Sequence, residues 1–387
     1  MRYVSGRERR ARLATRHALT PGARVSTPLA AAEAVVALHA TEAPSVHLSV
    51  WARSRTVGPE QITAALGRDH ALVKQLAMRR TLFAFPQDLI SAVLPSAAAR
   101  VATAERAGTI RDIERAGIAP GGAAWLDAAR RDVVTALEAH GALSTAELRR
   151  VVPIIRTVIP GIGAETWSSY RLLTLLGAEG VIVRGPSRGQ FPNARPLWTL
   201  ASTWLDTHHH MTATEGYREI VRRWLHAFGP GTEEDLVWWL GATKTIVRTA
   251  LTELEAIPVT LDGPHPGWLL PDDMDPVPDP PSWTALLPVL DPTVMGWKHR
   301  DFYLGSHAAA LFDKLGNAGT TAWVNGRAVG CWTQDEDGAV QVHLLQPIPD
   351  RARRSLHHRA AQLTAWLDGR HISTGYRSSA MLDHRIS

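Results

Sequence analysis

Cysteine is almost missing from the 387-residue sequence: Cys331 stands alone. A lone thiol excludes an intrachain disulfide framework and a cysteine zinc cluster. No apolar run approaches the ~18–20 residues that span a bilayer, so no membrane partner is expected. The N-terminus, Met1 to Arg7, passes into charged sequence without the apolar core of a signal peptide, and the expected location is the cytoplasm. Walker loop, dinucleotide fingerprint, His-Glu-x-x-His and Gly-x-Ser-x-Gly elbow are all lacking, and no cofactor is expected. Lysine is scarce as well, with only Lys74, Lys244, Lys298 and Lys314. The remaining cations are arginines, whose planar fork matches phosphates and guanine edges, although GC-rich coding sequence produces the same bias. Net charge is weak: 42 basic against 37 acidic residues give +5, with a pI of about 9.7. That suits a polyanionic partner and equally a basic housekeeping enzyme.

What is present reads as globular. Hydrophobic residues make up 45% and charged residues 20%, and the length suits two to four compact units. Fourteen tryptophans allow large cores or interfaces. Up to about Trp283 the pattern is helical with short β stretches. Strands dominate afterwards, until a last helix over Asp350–Leu367.

The clearest unit runs from Leu126 to Trp204. A helix with the apolar stripe Val133, Val134, Leu137 breaks at Gly141, and Ser144 three residues before Glu147 reads as a capping box for a second helix. A third helix is expected over Thr166–Glu179, then a hairpin built from Val181–Arg184 and Leu197–Leu200. Three helices followed by a hairpin is the winged-helix order, a helix-turn-helix variant whose third helix commonly enters the major groove. The same signature returns: Gly141, Ser144, Glu147 and Leu148 match Gly229, Thr232, Asp235 and Leu236, each 88 residues later. A degenerate copy is expected over Thr27–Leu94, with helices Leu29–His39, Val46–Arg53 and Glu60–Leu66 and wing strands around Arg79-Arg80. The division expected is 1–125 for the first winged-helix unit with connecting helices, 126–212 and 213–283 for the second and third, and 284–387 for a β-rich domain. In that last domain Asn325-Gly326 marks a hairpin turn.

Several residues carry possible chemistry. His39 and Thr41, two apart at an expected helix end beside Glu42, can face one cleft, or they can serve as ordinary caps. Arg79, Arg80, Arg184 and Arg188 fall on expected wing strands and turns, where side chains meet phosphates or simply stay solvated. Trp297 with Lys298 and Arg300 reads either as a stacking and charge platform for nucleic acid or, for Trp297, as a loop anchor. His208-His209-His210 reads as a solvated loop, since three adjacent residues cannot share one helix face for a metal.

Val36–Thr41, His47–Arg53, Met78–Phe83, Trp238–Gly241 and Leu287–Pro292, taken in order, resemble the winged-helix DNA glycosylases of the AlkZ/YcaQ type. The resemblance implies a mainly α fold with β: tandem winged helices followed by a small C-terminal β-barrel-like domain. It implies a DNA glycosylase that removes alkylated purines from double-stranded, damaged DNA, in some members at interstrand crosslinks, and leaves an abasic site. The family's catalytic motif is glutamine, a hydrophobic residue, then glutamine or aspartate, and it aligns with His39-Ala40-Thr41. Only the middle position fits. A neutral imidazole can take the attacking water's proton and a threonine hydroxyl can hold that water, so His39 and Thr41 are the catalytic candidates. The competing expectation is a DNA-binding protein or transcriptional regulator that has kept the fold and lost the motif. No heptad run for dimerisation is present, and a monomer on DNA is expected.

Overall fold

Among the described residues helices are the commonest elements, and antiparallel strands punctuate them, in the order the hydrophobic periodicity anticipates. A computed structural model describes residues 1–160, 165–205 and 211–383. The histidine run 208–210 lies outside them. Two compact units result: residues 63–217, and residues 1–62 together with 218–387. Among the described residues no helix is long and apolar enough to cross a membrane.

In the 63–217 unit, strands Leu72–Ala77 and Thr81–Pro86 pair antiparallel, Leu72 opposite Pro86 and Ala77 opposite Thr81. Arg79 and Arg80 make the connecting turn with φ of 52° and 57°, left-handed values that non-glycine residues seldom take. Strand Ile182–Arg188 joins at Arg184 opposite Lys74, and Arg195–Leu200 pairs on its far side. The helices Gly122–His140, Thr145–Val151 and Ser168–Ala178 precede that hairpin, as the spacing predicts. Leu126, Val133 and Leu137 fall on one helix face and bury against Leu148, Leu172, Leu176 and Ile182. Each such side chain contributes about 1.5–3 kcal/mol relative to exposure. The capping box is real: Glu147 N–H donates to Ser144 Oγ at 3.2 Å, and Ser144 N–H donates to Glu147 Oε2 at 2.8 Å.

The repeat recurs with helices Ala213–Phe228, Glu233–Leu240 and Lys244–Glu253, the last two and most of the first in the other unit. Strands Ile257–Val259 and Gly267–Leu269 then pair antiparallel. Thr232 and Asp235 form the second capping box, at 2.9 and 3.0 Å. The likeness extends beyond the four matched positions. Leu143 bridges Trp198, and Gly231, 88 residues after Leu143, pairs with Trp268. After residue 283 the strands Thr284–Leu287, Thr321–Val324, Arg327–Gln334 and Val340–Leu344 form an antiparallel sheet in chain order. Asn325 and Gly326 turn its hairpin with φ of 47° and 81°. Helix Asp350–Leu367 packs on this sheet, burying Leu356, Ala360, Leu363 and Leu367.

One expected element is corrected. The alanine-rich stretch read as a helix over Leu29–His39 is helical only over Pro28–Glu33. Val36 takes φ of 66°, and Leu38–His39 is a short strand. Val35 to Ala40 are all buried, so burial of this segment overrides its helix propensity.

Candidate active site and nucleic-acid surface

The His39-Ala40-Thr41 segment leads directly into helix Ala43–Arg53. His39 is 6% exposed, whereas Thr41 is exposed. His39 therefore does not cap a helix, and the N-cap of the next helix is Glu42 rather than Thr41. The Glu42 side chain leaves the helix end alone and accepts the Gly375 N–H at 2.6 Å.

The far end of this helix is held by an ion pair that sequence reading missed. Arg53 and Asp291 are both fully buried. Arg53 Nη1 donates to Asp291 Oδ2 at 2.7 Å and Nη2 to Oδ1 at 2.6 Å, a two-pronged match of guanidinium to carboxylate. Ser49 Oγ donates to the same carboxylate at 2.8 Å, and Thr293 N–H does so at 2.9 Å. Burial pushes the Asp291 carboxyl up, but Arg53 and these donors outweigh it and hold the group below its ordinary value. At the other end Ser45 Oγ donates to the Val289 carbonyl at 3.2 Å.

The network continues with a defined direction. Arg53 Nη2 donates to Thr293 Oγ1 at 2.8 Å. His17 Nδ1 lies 2.9 Å from that oxygen, and His17 Nε2 lies 3.1 Å from the Ala227 carbonyl. A carbonyl only accepts, so Nε2 carries the proton, Nδ1 accepts, and the Thr293 hydroxyl donates to it. Burial first, and Arg53 second, pull the His17 imidazole down to about 3, consistent with this neutral form.

Two of the expected arginines meet in the 63–217 unit. Arg184 and Arg188 line one open cleft of about 830 Å³ together with Arg149, Arg195, Tyr170 and Trp198. Arg184 lies 5.2 Å from the centre of the Trp198 ring, and burial lowers its pKa. Arg188 is exposed and pairs with Glu147 at 2.9 Å. No sequence signal marks Arg149 and the exposed Tyr170, which lie on two expected helices, or Arg195, which starts a strand expected only from Leu197. Arg79 and Arg80 sit apart, on the turn between their strands, and Arg80 pairs with Glu105.

The segment 297–300 separates into core and surface. Trp297 is 1% exposed; its Nε1 donates to the Phe228 carbonyl at 3.2 Å, and His17, Phe228, Phe302 and Tyr303 surround the ring. No face of Trp297 is open to a base, so it is withdrawn from the nucleic-acid contacts and is the loop anchor. Lys298 remains at the surface, 2.8 Å from Glu234. Arg300 is half-buried, with its guanidinium 4.7 Å from the centre of the Trp238 ring and 4.6 Å from that of Phe312.

Residues 32–366 match the family described as DNA glycosylase AlkZ-like. The chain belongs to that family. AlkZ-like membership makes it a DNA glycosylase, a DNA-binding enzyme of DNA repair. Among solved structures it is similar to the Streptomyces sahachiroi DNA glycosylase AlkZ, at 19% identity with a TM-score of 0.73, over 94% of this chain and 98% of that one. At that identity the likeness speaks for the fold, which the two share over nearly their whole lengths. No curated protein sequence matches. His39-Ala40-Thr41 and the Arg53–Asp291 pair both lie within the matched span.

Proposed function

We propose that this AlkZ-like enzyme hydrolyses the N-glycosidic bond of alkylated purines in double-stranded DNA, bulky or crosslinked adducts included, and leaves an abasic site. An N7- or N3-alkylpurine is cationic, so its bond to C1′ is already weak. Water attacks C1′ as that bond breaks. The electron pair leaves with the purine and cancels its charge, while the water's proton passes to the His39 imidazole and on to solvent. Thr41 holds the water through its hydroxyl. The observation that carries this reading is an enclosed imidazole followed two residues later by an exposed hydroxyl, at the start of a helix fixed by a buried ion pair. Cationic leaving groups ask little of the protein, and glutamine at the motif's first position is dispensable on that account.

The enzyme acts as a monomer in the cytoplasm, on nucleoid DNA. Residues 126–212 and 213–283 are read as winged helices, supported by their matching capping boxes and hairpins. Segment 1–125 is the first winged-helix unit, and 284–387 stands in the place of the barrel-like domain. Arg79, Arg80, Arg184, Arg188, Lys298 and Arg300 supply DNA contacts, chiefly to phosphates.

Base release tests the proposal. Duplex carrying N7-methylguanine is incubated with the protein, then treated with alkali to cut at abasic sites. Cleavage by the wild type, reduced at least ~100-fold in His39→Ala and about tenfold in Thr41→Val, is expected. Binding without cleavage, on this duplex and on a crosslinked one, would sink the reading.

A further inference from the structure

Helix Gly6–Arg16 precedes the span matched by the AlkZ-like family and carries five arginines. Four of them have hydrogen-bonded partners. Arg7 pairs with Asp279, Arg10 donates to the Phe302 carbonyl at 2.7 Å, and Arg12 and Arg16 both reach Asp273. Arg9 differs. Its guanidinium lies 3.7 Å from the centre of the Phe302 ring, and its Nε and Nη2 are shut off from solvent without a hydrogen-bond partner. Burial pulls the group down to about 10, with Asp235, Tyr303 and Asp262 opposing, so Arg9 stays charged at neutral pH. A desolvated cation with no hydrogen-bonded carboxylate of its own is costly, and the cavity beside it leaves room for an anion.

Arg9 lines a cavity of about 440 Å³ whose other walls come from the loop between the strands Ile257–Val259 and Gly267–Leu269 and from the segment after Lys298. His265 and His299 face each other there with ring centres 5.8 Å apart. Of the two acids in the wall, Asp262 is already engaged by the Tyr3 hydroxyl and the Gly6 N–H. Asp301 is the second, on the side of Phe302.

We propose that this cavity receives one backbone phosphate of the DNA duplex, with Arg9 as its charge partner and His265 and His299 beside it. The inference rests on reading 213–283 as a winged helix, whose hairpin loop is the part that meets phosphates. It replaces the stacking role expected of Trp297 by a charge contact one layer out. A phosphodiester suits the site because its single negative charge complements the one guanidinium charge.

The test measures DNA affinity across salt concentrations for the wild type, Arg9→Ala and Arg9→Lys, each first shown to unfold cooperatively. Should Arg9→Ala fail to fold, Arg9→Gln, which keeps the stem over Phe302, takes its place. Arg9→Ala is expected to bind about tenfold more weakly and to lower the slope of log affinity against log salt by about 0.9, the share of one phosphate. Arg9→Lys, which keeps the charge, should keep the slope. An unchanged slope and affinity in Arg9→Ala, while the wild type releases base, overturns the phosphate assignment and leaves the glycosylase reading standing. An Arg9-dependent slope without base release does the reverse. Inorganic phosphate that raises the Tm of the wild type but not of Arg9→Ala, with DNA binding indifferent to Arg9, assigns the cavity to free phosphate and overturns the DNA contact.

Discussion

Glu147 and Asp235 cap the same helix of the same repeat, 88 residues apart, and end in opposite environments. Glu147 lies near the surface and turns its spare oxygen to exposed Arg188. Asp235 is 0% exposed, and its spare oxygen accepts the backbone N–H groups of Lys298 and His299 at 2.8 and 2.9 Å. One copy thus uses its cap to steer a surface arginine. The other uses it to pin a loop from a distant part of the chain. A shared local motif fixes how a helix starts and leaves open what the capping acid does with its second oxygen.

The largest expected effect follows from that contrast. Asp235→Ala removes the returning half of the capping box and leaves the backbone N–H groups of Thr232, Lys298 and His299 without this acceptor, a loss of about 3 kcal/mol. Urea unfolding of the full chain measures it. A loss no greater than that of Glu147→Ala would erase the distinction between the two copies.

Acid separates the two environments next. The His17 imidazole is held at about 3 in the fold against an ordinary 6.5. The unfolded chain therefore binds the extra proton between those values, and stability falls as pH drops through that window. Glu147 is held at about 2, by Arg188 first and then by the Ser144 backbone, against an ordinary 4.5. Its contribution is complete above 4.5 and is lost as pH falls toward 2. Denaturation midpoints should vary less between pH 6.5 and 3 in His17→Gln, whereas in Arg188→Ala they should lie below wild type above 4.5 and converge on it as pH falls toward 2. The opposite pattern would place the acid sensitivity at the exposed Glu147–Arg188 pair and not at the buried His17.

The smallest effect sharpens the exposed side of the comparison. Glu147→Ala should cost several-fold less stability than Asp235→Ala, because its ion pair is exposed to solvent. It should also free Arg188 and tighten DNA binding about twofold, whereas Arg188→Ala weakens binding about threefold, with a shallower salt slope. A fluorescence titration resolves both.

Local features were readable from the residues. Both capping boxes, the Asn325-Gly326 turn and the strands flanking Arg79-Arg80 depend on neighbours within a few positions, and all stand where the sequence put them. The errors have a common physical origin. Residues 34–40 carry good helix formers, but their burial as turn and strand is decided elsewhere in the fold. Trp297 amid basic residues looks the same from sequence whether it faces solvent or Phe228 and Tyr303. Arg53 and Asp291 are 238 positions apart, and nothing near either announces the other. Around His39-Ala40-Thr41, the depth of His39 and the anchoring of the following helix were not legible, because both depend on residues far away in the chain.

That anchoring has a mechanical side. Helix Ala43–Arg53 is an arm of eleven residues, roughly 16 Å long, clamped at one end by Asp291 with the His39-Ala40-Thr41 segment at the other. A tilt of about 5° at the clamp displaces the far end, which Ser45 and Glu42 tie more lightly to Val289 and Gly375, by roughly 1.4 Å, and errors near 1 Å at reacting atoms can cost about a hundredfold in rate. Loosening the clamp would thus be felt as a lever is felt, at the tip: variants of Ser49 or Thr293, residues that never meet DNA in this scheme, would blunt aim before they unfold the chain.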